Sequence, residues 1–154
     1  MGLLAGYAII GNEKMKEDVK EKYLELQMLN SQLQQLQQQI RNADMQSAEM
    51  DKISFAIEEA KSIKKGQEML VPLGQGIFIK AKAEDASSVI MSVGADVAVE
   101  KSLDDAIAIV KTQQGELSSI ILEMKHEFSD GVQRLHSLQN EMPQEQPVEK
   151  KKKK

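Results

Sequence analysis

Apolar residues in the first third of the chain recur on a seven-residue repeat. Val19, Leu26, Leu33 and Ile40 hold one position of the repeat, and Leu29, Leu36, Ala43, Met50 and Ile57 hold the other. Such alternation of short and long steps is a coiled-coil seam. Lys22, Ser47 and Ser54 weaken the repeat, while Tyr23, Ile53 and Ala60 widen the stripe, so this helix is expected to meet more than one surface near its C-terminal end. The glutamine-rich stretch SQLQQLQQQI keeps Leu33, Leu36 and Ile40 on the seam. It reads as a solvated helix face rather than a low-complexity tract. A second seam runs through Leu103, Ile107, Val110, Leu117, Ile121, Met124, Phe128, Leu135, Leu138 and Met142, with Gln114 and Gly131 as gaps. Ser102 followed by Asp105 makes a capping-box-like start for it, and Pro143 stops it.

The pattern changes between the two seams. Gly66 is expected to cap the first helix, and then the runs MLVPL, IFIKAKA, SSVIMSV and VAVEKS read as strands. GQG (Gly74 to Gly76) and GAD (Gly94 to Asp96) supply tight turns, with Gly74, Gly76 and Gly94 as turn glycines. Two successive β-hairpins follow, with apolar residues on both faces. A lone two-stranded hairpin is marginal in water and its edges are unpaired, so this segment needs partners. Val71, Leu73, Ile77, Phe78, Ile79, Val89, Ile90, Met91, Val93, Val97 and Val99 are the expected oligomerisation residues. The predicted fold is α+β: a long antiparallel two-helix coiled coil with two central β-hairpins that assemble with those of other chains into an intersubunit β-barrel or sandwich.

The expected organisation is an N-terminal extension over 1–14, a coiled-coil helix over 15–65 and hairpins over 66–101. A second coiled-coil helix follows over 102–142, then a disordered lysine-rich tail over 143–154. Residues 15–65 would make a helix of about 75 Å and residues 103–142 one of about 60 Å. The mismatch leaves incomplete pairing at the far tip. Met15, Val19, Tyr23, Leu26, Leu135, Leu138 and Met142 are the candidate contacts there for apolar segments of other proteins, the alternative for each being an ordinary seam residue.

Composition narrows the function classes. Aromatic residues make up 3% of the 154 residues and Trp is absent, too little bulk for a thick globular core. With no cysteine, disulfides, thiolate metal sites and Cys nucleophiles are excluded, and a reducing, cytoplasmic setting fits. The net charge is −4, but removing Lys150 to Lys154 from the 20 basic residues leaves 15 against 24 acidic ones, or −9. A body so acidic repels a phosphate backbone, which argues against nucleic acid. The apolar opening MGLLAGYAIIG is far short of a bilayer span and has no basic n-region, so no membrane role is expected. Met15 is the expected functional start, with an apolar binding arm and a cleaved signal as the alternatives.

No catalytic set emerges. GQG is followed by a strand rather than a helix, unlike a phosphate loop. His126 and His136 do not share a helix face, and the adjacent pairs Glu58-Glu59 and Asp104-Asp105 point apart. The chain is expected to be no enzyme and to need no metal or cofactor.

The order helix, two hairpins, helix, with LVPLGQGIFIKAKAED and VIMSVGADVAVEKSLDDAI, resembles the α-type subunit of prefoldin, an archaeal one in character, from Met15 to about Met142. The first 14 residues and the lysine run depart from that family. The resemblance implies a hexamer of two α-type and four β-type subunits with a β-barrel platform and six coiled coils. It further implies capture of unfolded client proteins at the coiled-coil tips without ATP, and transfer to a group II chaperonin. A homo-oligomeric scaffold or a filament-forming prefoldin relative is the alternative. The lysine tail is expected to solubilise, or to touch an acidic chaperonin rim or nucleic acid by charge alone.

Overall fold

A computed structural model describes the backbone of residues 3–143 and the side chains of residues 14–143. The elements are α1 (Leu3–Ala60), β1 (Glu68–Gly74), β2 (Ile77–Lys82), β3 (Ser88–Gly94), β4 (Val97–Ser102) and α2 (Leu103–Glu141). Both predicted helices and both hairpins are present, with two boundaries moved. α1 begins at Leu3, so residues 3–14 continue the helix instead of standing apart from it. Its other end comes at Ala60, where Lys61, Ser62 and Ile63 donate backbone hydrogen bonds three residues back, to Glu58, Glu59 and Ala60. That tighter winding ends the helix before Gly66. Gly66, at φ +82°, therefore caps no helix; its N–H donates to the Ala83 carbonyl at 2.6 Å and extends the first hairpin. The lysine tail, residues 144–154, lies outside the described residues.

The chain forms two compact units. One comprises residues 1–40 and 123–154, the other residues 41–122. In the first, α1 and α2 run antiparallel. Lys22 Nζ meets Glu141 Oε2 at 3.0 Å, Arg134 pairs with Glu25, and Gly131 packs on Leu33. Leu33, Ile40 and Leu138 are buried along this seam. The interruptions have physical uses. Lys22 stays half-buried by its stem while its ammonium reaches Glu141. Gly131 lets the helices approach so closely that a Cβ there would lie 2.6 Å from Leu33 Cδ2.

In the second unit the seam is best filled where α2 begins. Leu103, Ala106, Ile107, Val110 and Ile121 are buried, Ala106 completely. Ser102 Oγ accepts the Asp105 N–H at 3.1 Å, with Asp104 and Asp105 in the positive first turn, as the capping pattern predicts. Lys61 bridges Asp104 and Glu58 at 3.1 and 3.2 Å, and these bonds hold its ammonium above the usual lysine range. Gln114, the polar gap in the second seam, donates to Asp51. Ser54 has no such partner: its hydroxyl is buried without a hydrogen bond, a local cost accepted inside the seam.

β1 pairs with β2 and β3 with β4, both antiparallel, as two separate two-stranded sheets. Each carries a register shift just before its turn, at Pro72/Gly74 and at Ser92/Gly94. Gln75 and Gly76 have φ +44° and +78°, Ala95 and Asp96 +49° and +57°. Two consecutive positive φ angles mark a primed turn, whose twist matches that of the strands. Between the hairpins Asp85 Oδ1 accepts from the Ser87 N–H and hydroxyl, at 2.9 and 2.7 Å. Those bonds hold the Asp85 carboxyl below its usual range.

The two mid-helix glycines of α2 should respond oppositely to substitution. Gly115 faces open space, and Gly115→Ala is expected to raise stability by about 1 kcal/mol through helix propensity. Gly131→Val is expected to cost about 1–3 kcal/mol by driving Leu33 from its position. Thermal unfolding of the two variants checks both signs.

Candidate functional site

Among the described residues, two of the surfaces that the chain's own packing leaves exposed bear on function, one in each unit. The first is the pair of hairpins. Cross-strand partners share a face, so Val71/Ile79 and Met69/Ala81 lie together, with Ile77 two residues from Ile79 on that side. This face is wholly apolar. The reverse face mixes Pro72/Phe78 with Leu70/Lys80 and Glu68/Lys82. The second hairpin is less segregated, with Val89/Lys101, Met91/Val99 and Val97 on one side and Ile90/Glu100 and Ser92/Ala98 on the other.

Of the eleven expected oligomerisation residues, Val89 and Met91 are half-buried and the other nine are exposed. Ile90 reaches 78% and Leu73 68%. Leu70, at 62%, belongs with them and was missed because its partner is Lys80, which makes that pair look like ordinary solvated surface. Exposed apolar area on this scale marks an interaction surface.

The second surface is the open end of the helix pair in the first unit. α2 ends at Glu141, which lies beside Lys22, while α1 begins at Leu3. Residues 3–21 of α1 therefore have no opposing helix among the described residues. Met15 stands four residues before Val19 in the heptad, a seam position, yet it is 65% exposed. Tyr23 is 52% exposed. Val19, Leu26, Leu135 and Met142 are half-buried.

Leu138 differs. It is only 8% exposed, so in this state it is a packed seam residue and presents no free surface, because α2 continues past it and keeps it opposite α1. The sequence reading also passed over Leu24 and Met28, which are off the seam, exposed and four apart on α1. Together with Leu29 they floor a groove beside Glu21, Glu25 and Arg134. Their helical spacing was the available signal. Among the described residues no group of acids and histidines is placed to hold a metal, and no helix is long and apolar enough to cross a membrane.

A family model described as prefoldin subunit matches residues 13–147. The chain belongs to the prefoldin subunit family. Among similar proteins, the prefoldin subunit alpha of Methanococcus aeolicus is 38% identical over 60% of this chain and 62% of its own length, so the chain spans less than two thirds of that relative. The prefoldin subunit alpha 1 of Methanocaldococcus jannaschii is 33% identical over 86% of this chain and 91% of its own. A chain from the cryo-EM structure of filamentous PFD from M. jannaschii shares the fold at a TM-score of 0.67 and 20% identity, covering 75% of this chain and 96% of that one. Within prefoldins this chain is of the α type, the type its two hairpins predicted.

The wholly apolar hairpin face gives a direct test. Ile79→Asp is expected to lower the assembled mass in sedimentation experiments while helical circular dichroism is retained. Lys80→Asp, on the mixed face of the same strand, is expected to leave the mass unchanged.

Proposed function

We propose that this chain is the α-type subunit of an ATP-independent holdase. In this reading its hairpins join those of β-type subunits into the platform of a hexamer with two α-type and four β-type chains. Its helix pair captures non-native polypeptides at the open end, and the assembly passes them to a group II chaperonin in the cytoplasm. The observation that carries the reading is the overshoot of α1 past Glu141, which leaves Met15, on the seam, without an opposing helix among the described residues.

The physical case rests on the kind of surface offered. Met15 is an adaptable side chain on a stretch of α1 with no opposing helix among the described residues, and Tyr23 is an exposed, amphipathic one at the edge of the paired region, which suits weak contact with many apolar sequences. Weak contacts at several tips combine through effective concentration, so the assembly holds what one tip would release. Val19, Leu26, Leu135 and Met142, half-buried at the same end, extend the contact where a client displaces the seam. Leu138 contributes by holding the helix pair closed beneath them. No chemistry is required of the subunit, because release follows from competition by the chaperonin rather than from a bound nucleotide.

A single-component oligomer, acting as scaffold or filament, is the second reading. What favours it is that the solved chain sharing this fold comes from a filamentous assembly. Apolar hairpin faces suit pairing with copies of the same chain as well as with a shorter relative.

The double variant Met15→Ala/Tyr23→Ala is expected to weaken suppression of aggregation of a denatured client by at least about tenfold, which corresponds to about 1.4 kcal/mol of lost contact. Its native mass is expected to match that of the parent assembly. Undiminished capture would remove the open end as the client site, and loss of the assembly would make these residues structural.

A further inference from the structure

The groove floored by Leu24, Met28 and Leu29 continues along the helix pair of the first unit. A second groove adjoins it through Leu29, Gln32 and Arg134 and is bordered by Glu127 and Asp130. The rim of the combined groove carries the carboxylates of Glu21, Glu25, Glu127 and Asp130 against one guanidinium, Arg134. Arg134 is already paired with Glu25, and Asp130 lies 3.1 Å from His126 Nδ1. The result is a groove whose floor mixes apolar side chains with the amides of Gln32, Gln35 and Gln39, between predominantly acidic walls. A ligand that fits it is apolar in part and strongly basic in part.

The chain carries such a segment beside the groove's near end. α2 stops at Glu141, next to Lys22, and the sequence runs on as PQEQPVEKKKKK from Pro143. From Pro143, an extended chain of about 3.3 Å per residue places Lys150 about 23 Å away. Glu127 lies about 21 Å back along α2 from Glu141, at 1.5 Å per residue. A segment of that reach, laid along the groove, would bring Pro147 and Val148 over its floor and the five lysines to the acidic far rim. Length, composition and charge agree on one occupant.

We propose that the lysine-rich segment, residues 144–154, folds back into this groove and competes there with clients that combine apolar and basic residues. Docking itself needs only the groove and the tail; the competition rests on the client-capture reading above. The segment thereby sets a threshold. Clients richer in apolar residues than the tail displace it, and weak basic peptides do not.

The chain has no native cysteine, so introduced pairs report on docking without interference. In the full assembly, Met28→Cys/Val148→Cys places one thiol in the groove and one in the stretch of tail that a docked segment lays over its floor. Gln27→Cys/Val148→Cys places the first thiol one residue away, outside the groove lining. Within-chain cross-linking by a short bis-maleimide is expected to run about tenfold faster for the Met28 pair, from the higher effective concentration of a docked tail. The difference is expected to vanish near 1 M salt, where the Debye length is about 3 Å. Equal rates at low salt would overturn docking, and cross-links found only between chains would assign the groove to another copy's tail and overturn it equally.

Competition is read separately with a fluorescent peptide of alternating leucine and lysine. Deleting residues 150–154 is expected to tighten its binding several-fold. Unchanged affinity would overturn the competition, and failure of both proteins to bind any peptide would overturn competition and client capture together, leaving the cross-link to decide docking.

Discussion

A β-hairpin with apolar side chains on both faces has nowhere inside its own chain to bury them. Val71, Ile77 and Ile79 on one side and Leu70 and Phe78 on the other are exposed, and each sheet has only two strands. Water does not tolerate such a surface in isolation, and two strands do not hold themselves together. On the proposed reading the hairpins impose assembly, and the remaining features have a use once assembly is granted. A subunit anchored through its hairpins leaves its helices with no duty to build a core. They need only pair with each other, which explains a chain with almost no aromatic residues and a seam made of Leu, Ile, Val, Ala and Met.

The helix pair shows how little a coiled coil needs to be well defined when its exceptions are placed well. Gln114 answers Asp51, Lys22 answers Glu141, and Gly131 brings the backbones close enough for Leu33 to fill the missing side chain's place. Each of these three departures from the heptad is thus a contact that only one register satisfies, and polar seam residues are well suited to fixing register. Ser54 has no such answer and marks where register is held by its neighbours alone.

Periodicity made the helices, both hairpins, the turns and the cap at Ser102 legible, because each rests on local rules that act within a few residues. Boundaries were less legible. Gly66 looked like a helix cap because glycine after a periodic run commonly is one, but a bond from its N–H to Ala83, seventeen residues later in sequence, claims it for the hairpin. Composition changes at Met15, and the helix passes through it unbroken, because a helix needs no change in backbone geometry to pass from an apolar to a charged stretch. At the open end, Met15 and Tyr23 were found from unequal helix lengths. Leu138 was placed among them, and its burial depends on where α2 stops relative to α1. Leu24 and Met28 were missed because they lie off the seam, where a heptad search does not look.

The most direct measurement is the native mass of the complex isolated from its natural source, with every chain identified. The account predicts an assembly containing two copies of this 17.2 kDa chain and four of a shorter helical-hairpin relative. An oligomer of this chain alone would replace the holdase reading with the scaffold or filament one. A mass equal to a single copy, with the hairpins still folded, would contradict the claim that their apolar faces require other subunits.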